Sequence, residues 1–184
     1  VKLYFENSNC EDAINFVRAK GSVREMNIQN SSFDAMDADF SKLQFNNLKI
    51  NKSLNDCLDF SFGEYEIYNS EISNCADKAI SVGELSKVKI NKVSIKNSES
   101  GVVSKDFASV HISESRIFKT EYCFQAYNKK PEFSGGLINS KNNNCIFNHE
   151  FALVDLSSKL ILNNEDYSET EWKNKKGKGE YNGI

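Results

Sequence analysis

Six aspartates crowd the first third of the chain: Asp12, Asp34, Asp37, Asp39, Asp56 and Asp59. Asp12, Asp34 and Asp56 follow one another at steps of 22 residues, and Asp37 and Asp59 are separated by the same step. Paired carboxylates serve as general acid and base when their surroundings push their pKa values apart. Oxygen-rich clusters also suit Ca²⁺. On this reading Asp37 and Asp59, with Lys105, are the candidate catalytic groups, and Asp34, Asp37, Asp39, Asp56 and Asp59 are the candidate Ca²⁺ ligands. Like charges stacked at ladder spacing destabilise a sheet. Something must offset them: a bound cation, a basic ligand, a proton shared between carboxylates, or Lys78 at one end of the row. The plain alternative is a solvated sheet on which Asp caps the corners.

Farther along, Ser81, Glu84, Lys105, Asp106, Tyr122 and Tyr127 form a second polar group, carried partly by the segments ISVGELS and VVSKDFAS. Tyrosines beside a flat polar groove suit sugar rings, which offer apolar faces edged by hydroxyls. Asp39, Ser81, Glu84, Asp106, Tyr122 and Tyr127 are therefore the candidate ligand-binding residues. The sequence has no P-loop, GxGxxG, GxSxG or HExxH motif. Asp37-x-Asp39 opens like an EF-hand loop but lacks the required Gly and closing Glu. His111 and His149 are isolated, so a Ser–His–Asp arrangement is not indicated.

These groups share a surface only if the chain repeats. Positions 13, 35, 57, 79, 101, 123 and 145 hold Ala13, Ala35, Cys57, Ala79, Gly101, Cys123 and Cys145, all small. The next position is apolar throughout, from Ile14 and Met36 to Phe124 and Ile146. A second column reads Phe5, Ile28, Ile50, Ile72, Ile95, Ile117, and a third Val23, Leu43, Tyr65, Val88, Val110, Leu137. Within each unit apolar residues alternate at period two, as in Leu43-x-Phe45 and Leu58-x-Phe60, which is strand spacing. Leucine-rich repeats need a fixed pattern that is absent here, and helical repeats need 3.6 spacing. The expected fold is all-β: a single-stranded right-handed parallel β-helix of about seven coils, with about 22 residues and three short strands per coil. Asn7, Asn30, Asn74 and Asn97 mark one corner, where Asn tolerates the left-handed conformation. Lys52 and Lys119 interrupt that ladder. In this register Asn15, Asp37, Asp59, Ser81, Val103 and Gln125 form one outward row, and Val17, Asp39, Ser61, Gly83, Lys105 and Tyr127 the next.

Residues 1–162 are expected to form the β-helix. The segment KKPEFSGG at 129–136 should loop out, and 163–184, which includes Tyr167 and Trp172, should act as a C-terminal cap or tail. Cys57, Cys123 and Cys145 occupy the small-residue slot. Three coils separate Cys57 from Cys123, roughly 14 Å at sheet spacing, so they read as buried free thiols rather than a disulfide. A net charge of -3 argues against non-specific nucleic-acid binding. No apolar run approaches the roughly 20 residues that span a bilayer. The chain opens on Val1 and carries no signal peptide. It reads as a trimmed or mature form, or as one module alongside other domains of a longer parent chain.

The FENSN, IQNSS, ISNCA and IKNSE corners resemble those of right-handed parallel β-helix repeat proteins, the pectate-lyase-like superfold, over roughly residues 2–162. That resemblance implies a secreted or surface protein that cleaves, epimerises or binds polysaccharide on one outward sheet built from carboxylates, with Ca²⁺ or a basic residue. Asp37, Asp39, Asp59 and Lys105 fall on a comparable face. The NTD, DD, GHG and RIK signatures of pectin hydrolases are absent, and no arginine is identifiable as a pectate-lyase base. DAMDADF, DCLDFSFGEY and VVSKDFAS look like β-helix segments of larger bacterial surface or spore-coat-type proteins. Three functions follow as expectations: a carbohydrate-binding module, a polysaccharide lyase or glycoside hydrolase using clustered Asp, or a structural spacer or adhesin stalk.

Overall fold

Period-two alternation makes each 22-residue unit a set of strands, and matched small and apolar residues let successive units stack. The computed structural model, which describes residues 1–169 and 177–183, is a parallel β-helix of about 7 turns. The first coil is β1 (Lys2–Ser8), β2 (Asp12–Val17) and β3 (Lys20–Val23). The second is β4 (Glu25–Ser31), β5 (Asp34–Asp39) and β6 (Lys42–Asn46). Then follow β7 (Leu48–Ser53), β8 (Leu58–Ser61), β9 (Glu64–Val82), β10 (Lys87–Lys105), β11 (Ser109–Ser113) and β12 (Arg116–Tyr127). The last coils use β13 (Leu137–Lys141), β14 (Asn144–Val154) and β15 (Lys159–Leu162). Each strand pairs in parallel with its equivalent one coil on, as β2 does with β5 and β5 with β8. Among the described residues no helix is long and apolar enough to cross a membrane.

The core is the column of inward side chains. Phe5, Ile28, Ile50, Ile72, Ile95 and Ile117 stand opposite one another in sequence order. The third column differs from expectation at both ends. Gly21, not Val23, stands opposite Leu43, and Ile138, not Leu137, opposite Val110. The small-residue column also ends early, because the loop lengthens one coil and shifts everything after it. Cys145 therefore stands opposite Ile117, in the isoleucine column.

The cysteines are not free thiols. Cys57 is bridged to Cys75 and Cys123 to Cys145, with Cα atoms 5.6 and 6.2 Å apart. Weighing Cys57 against Cys123 alone leaves out Cys75, which lies around a corner in the neighbouring strand stack, and leaves Cys123 unweighed against Cys145, 22 residues on. Only Cys10 is free, and it is exposed.

The asparagine corner forms as its residue type dictates. Asn7, Asn30, Lys52, Asn74, Asn97 and Lys119 all adopt positive φ, between 53° and 69°. Asn30 donates its side-chain amide to Asn7 Oδ1 and Asn97 to Asn74 Oδ1, at 3.0 and 2.9 Å. The lysines cannot continue that amide ladder.

At the C-terminal end β16 (Glu165–Asp166) pairs antiparallel with β15, and β17 (Gly179–Asn182) with β14. Tyr167 and Tyr181 are buried against the last coil. An antiparallel strand laid on the final edge uses up hydrogen-bonding groups that would otherwise template further pairing. Trp172 lies outside the described residues.

Candidate functional site: an acidic row between apolar rims

The strand stack of β2, β5 and β8 continues through the ends of β9, β10 and β12. Its outward rows have the expected register: Asn15 opposite Asp37, Asp37 opposite Asp59, Asp59 opposite Ser81. In the next row Val17 faces Asp39, Asp39 faces Ser61, and Lys105 faces Tyr127. Asp37, Asp39 and Asp59 are thus close neighbours on one surface.

Asp34 and Asp56 do different work. Asp34 Oδ1 accepts from the backbone N–H of Asp56 at 2.9 Å and from the Asn55 side-chain amide at 2.7 Å. Asp56 Oδ1 accepts from the backbone N–H of Lys78, also at 2.9 Å, with Lys78 Nζ 3.5 Å away. Both carboxylates tie one coil's corner to the next, and Lys78 serves Asp56 and Asp77 rather than the row as a whole. Among the described residues no group of three or more His, Cys, Asp or Glu side chains is arranged to hold a metal ion.

The remaining row is short of donors. Asp37 accepts from Asn15 Nδ2 at 3.0 Å and from the backbone N–H of Ala38. Burial, together with Asp39, Asp59 and Asp12, raises its pKa to about 7. Burial and Asp59 raise Asp39 as well, partly offset by a hydrogen bond from Asp37. Burial also raises Asp12. The repulsion expected from stacked like charges is therefore present, and sharing a proton relieves part of it.

Two further carboxylates close the row. Lys105, 5% exposed at its side chain, donates to Ser81 Oγ at 2.9 Å and stops 4.0 Å from Asp59 Oδ1. That oxygen is buried without a hydrogen-bond partner. Gly83 makes this possible: a Cβ there would stand 2.9 Å from Lys105 Cε. Burial opposes ionisation of Glu84, but Lys130 and a 2.6 Å hydrogen bond from Ser61 Oγ outweigh it and hold its pKa below the ordinary value.

The loop is anchored beside them. Asp106 Oδ1 accepts from the backbone N–H groups of Lys129 and Lys130, Lys130 pairs with Glu84, and Phe133 packs edge-on against Phe62 and Phe107. Ser81, Val103, Lys105 and Asp106 are fully or almost fully buried in this region. The open part of the row accordingly lies over β2, β5 and β8.

Tyr127 joins this group, half-buried, with its pKa raised by burial. Tyr122 does not. It sits at the opposite corner, edge-on to His149 at 5.3 Å, in a shallow depression with Asn97 and Ser98.

Sequence reasoning missed the rims. Phe33 and Leu54 stand more than half exposed at the corner before the stack, and Phe40, Phe62, Leu85 and Phe107 are exposed at the corner after it. The Phe40 and Phe62 rings stack at 4.8 Å, 4° from parallel, and the Arg18 guanidinium lies over Phe40 at 5.5 Å. Both phenylalanines hold positive φ, 50° and 51°, where a bulky residue costs roughly 1–2 kcal/mol. The stack enforces it, because Phe40 N–H donates to Ser61 O and Phe62 N–H to Glu84 O. Backbone strain of this kind gathers at binding and active sites. The signal was in the sequence: Phe40 and Phe62 lie 22 apart, one position beyond the outward Asp39–Ser61 row.

No protein-family model matches the chain, and no curated protein or solved structure is significantly similar to it.

Proposed function

We propose that this chain is a module of a larger bacterial secreted or surface protein and that it binds an extended polysaccharide across β2, β5 and β8. The observation that carries this reading is the pair of exposed apolar rims, Phe33 and Leu54 on one side and Phe40 and Phe62 on the other, flanking an acidic floor. Apolar surface exposed in a contiguous strip marks an interaction site, and a polar floor between apolar walls matches a sugar chain with hydroxyl edges and C–H faces. The resemblance to the pectate-lyase-like superfold supports the same ligand class. Two disulfides favour an oxidising, extracellular compartment.

A second reading is a carbohydrate-active enzyme, a polysaccharide lyase or glycoside hydrolase. Asp37, raised to about 7, would be the acid, and Asp59, backed by Lys105, the base. A glycan panel separates the two. Retention in affinity electrophoresis without product supports the module, release of oligosaccharide supports the enzyme, and neither leaves a structural spacer or adhesin stalk.

A further inference from the structure

Lys105 is a buried amine in an unusual place. Its side chain lies over Gly83, where a Cβ would stand 2.9 Å from Lys105 Cε. The ammonium donates to Ser81 Oγ at 2.9 Å, yet stops 4.0 Å from Asp59 Oδ1. That carboxylate oxygen is itself buried and has no hydrogen-bond partner. Two opposite charges have thus left water without closing to the roughly 2.8 Å of a charge-assisted hydrogen bond. A buried pair offsets its desolvation only when its geometry is close and its remaining groups are satisfied, and neither holds here. A primary amine and a carboxyl group held side by side away from water have another way to lose their charge, which is condensation to an amide.

We infer that Lys105 and Asp59 form an intramolecular amide cross-link, Nζ to Cγ, that ties β10 to β8 across the intervening coil. Nζ attacks Cγ, the N–C bond forms and one C–O bond breaks. Counted from the ion pair, one of the three ammonium protons stays on the amide nitrogen and two leave with the oxygen as water. The step needs no oxidant, reductant or co-reactant. Fixed proximity offsets its barrier, since well-oriented groups reach effective molarities of about 10⁵–10⁸ M. Asp37 is placed to relay the proton. It stands opposite Asp59 in the adjacent coil, and burial, with Asp39, Asp59 and Asp12, raises its pKa to about 7. It can therefore give a proton to the departing oxygen and take one from the nitrogen. The cross-link does not rest on the polysaccharide reading. It leaves the rims, Asp37 and Asp39 in place for a glycan, and it removes the base that the enzyme reading requires.

The test is the intact mass of the full chain, denatured and fully reduced, followed by tryptic mapping. The mass should fall short of the sequence mass by one water. Trypsin should not cut after Lys105, and fragmentation should find a branched peptide joining the segments that carry Asp59 and Lys105. Lys105→Arg keeps the positive charge without the primary amine, and its mass should show no deficit, with folding verified by circular dichroism. Asp37→Asn should lower the linked fraction. A full sequence mass with complete cleavage after Lys105 overturns the cross-link, and this measurement on the parent chain stands even where a variant does not fold. A deficit that persists in Lys105→Arg places the lost water elsewhere and overturns it too. Linking in Asp37→Asn as complete as in the parent overturns the relay assigned to Asp37.

Discussion

The rings of Phe40 and Phe62 stack 4.8 Å apart and 4° from parallel on the outside of the helix, each on a backbone with φ near 50°. Two aromatic side chains are held in a conformation that favours Gly or Asn, yet they leave much of their surface in water. Stability alone does not select that arrangement. Phe40→Asn/Phe62→Asn should relieve the backbone strain while losing a stacking contact of about 0.5–1.5 kcal/mol. Relief of roughly 1–2 kcal/mol at each of the two positions matches or exceeds the lost stacking, so the melting temperature should not fall below that of the parent, while glycan retention in affinity electrophoresis is lost. Unchanged retention would detach the rim from function.

Asp37 makes a prediction in pH. Its folded pKa, about 7, lies above the ordinary value of 3.8. A raised acid binds more protons folded than unfolded between those values, so its stabilising contribution is complete below about pH 4 and is lost as pH rises through 7. Asp37→Asn removes that loss. Its side chain is partly exposed and solvent screens it, so the gain at pH 8 should be roughly 1 kcal/mol, or about 2–4 °C, and should vanish near pH 4. Melting curves across that range decide it. A gain independent of pH would mean the carboxylate is not the cause.

The fold was legible because a solenoid writes its register into the sequence. Ile28, Ile50, Ile72, Ile95 and Ile117 recur at near-constant spacing and meet one another in space. The Asp37–Asp59 row was legible for the same reason. What failed was whatever crosses columns. Cys57 meets Cys75 around a corner, and a comparison confined to one column cannot see it. Cys145 moved column because the inserted loop lengthened its coil. The burial of Lys105 was hidden as well, since it depends on the space left by Gly83 and on packing around the loop. The phenylalanine rims were visible at the 22-residue step but were assigned no part, because corners are usually polar.

Lys105 should prove structural as well as electrostatic. Lys105→Met leaves Ser81 Oγ and buried Asp59 Oδ1 without their nearest donor. An unsatisfied buried polar group costs about 1–3 kcal/mol, which chemical denaturation would read as a lowered midpoint. Adding Asp59→Asn to Lys105→Met should recover part of the loss, because the double variant no longer buries an uncompensated charge. Gly83→Ala should act in the same direction by displacing Lys105 Cε. Strict additivity of the Lys105 and Asp59 changes would show that the two groups do not interact.

The bridges Cys57–Cys75 and Cys123–Cys145 close loops with sequence separations of 18 and 22 residues. Cross-links of that length stabilise by about 3 kcal/mol each in the chain-entropy account, and here they also fasten neighbouring strand stacks across a corner. Protein purified without reductant, denatured and then alkylated should gain one adduct by mass spectrometry, at Cys10, whereas prior reduction should expose all five thiols. Reduction should lower the unfolding midpoint, and Cys57→Ala/Cys75→Ala should reproduce part of that drop without reductant. Five reactive thiols in the unreduced protein would remove both bridges, and with them the support they give to an extracellular module. A single adduct would establish both bridges and keep the support they give to the extracellular reading.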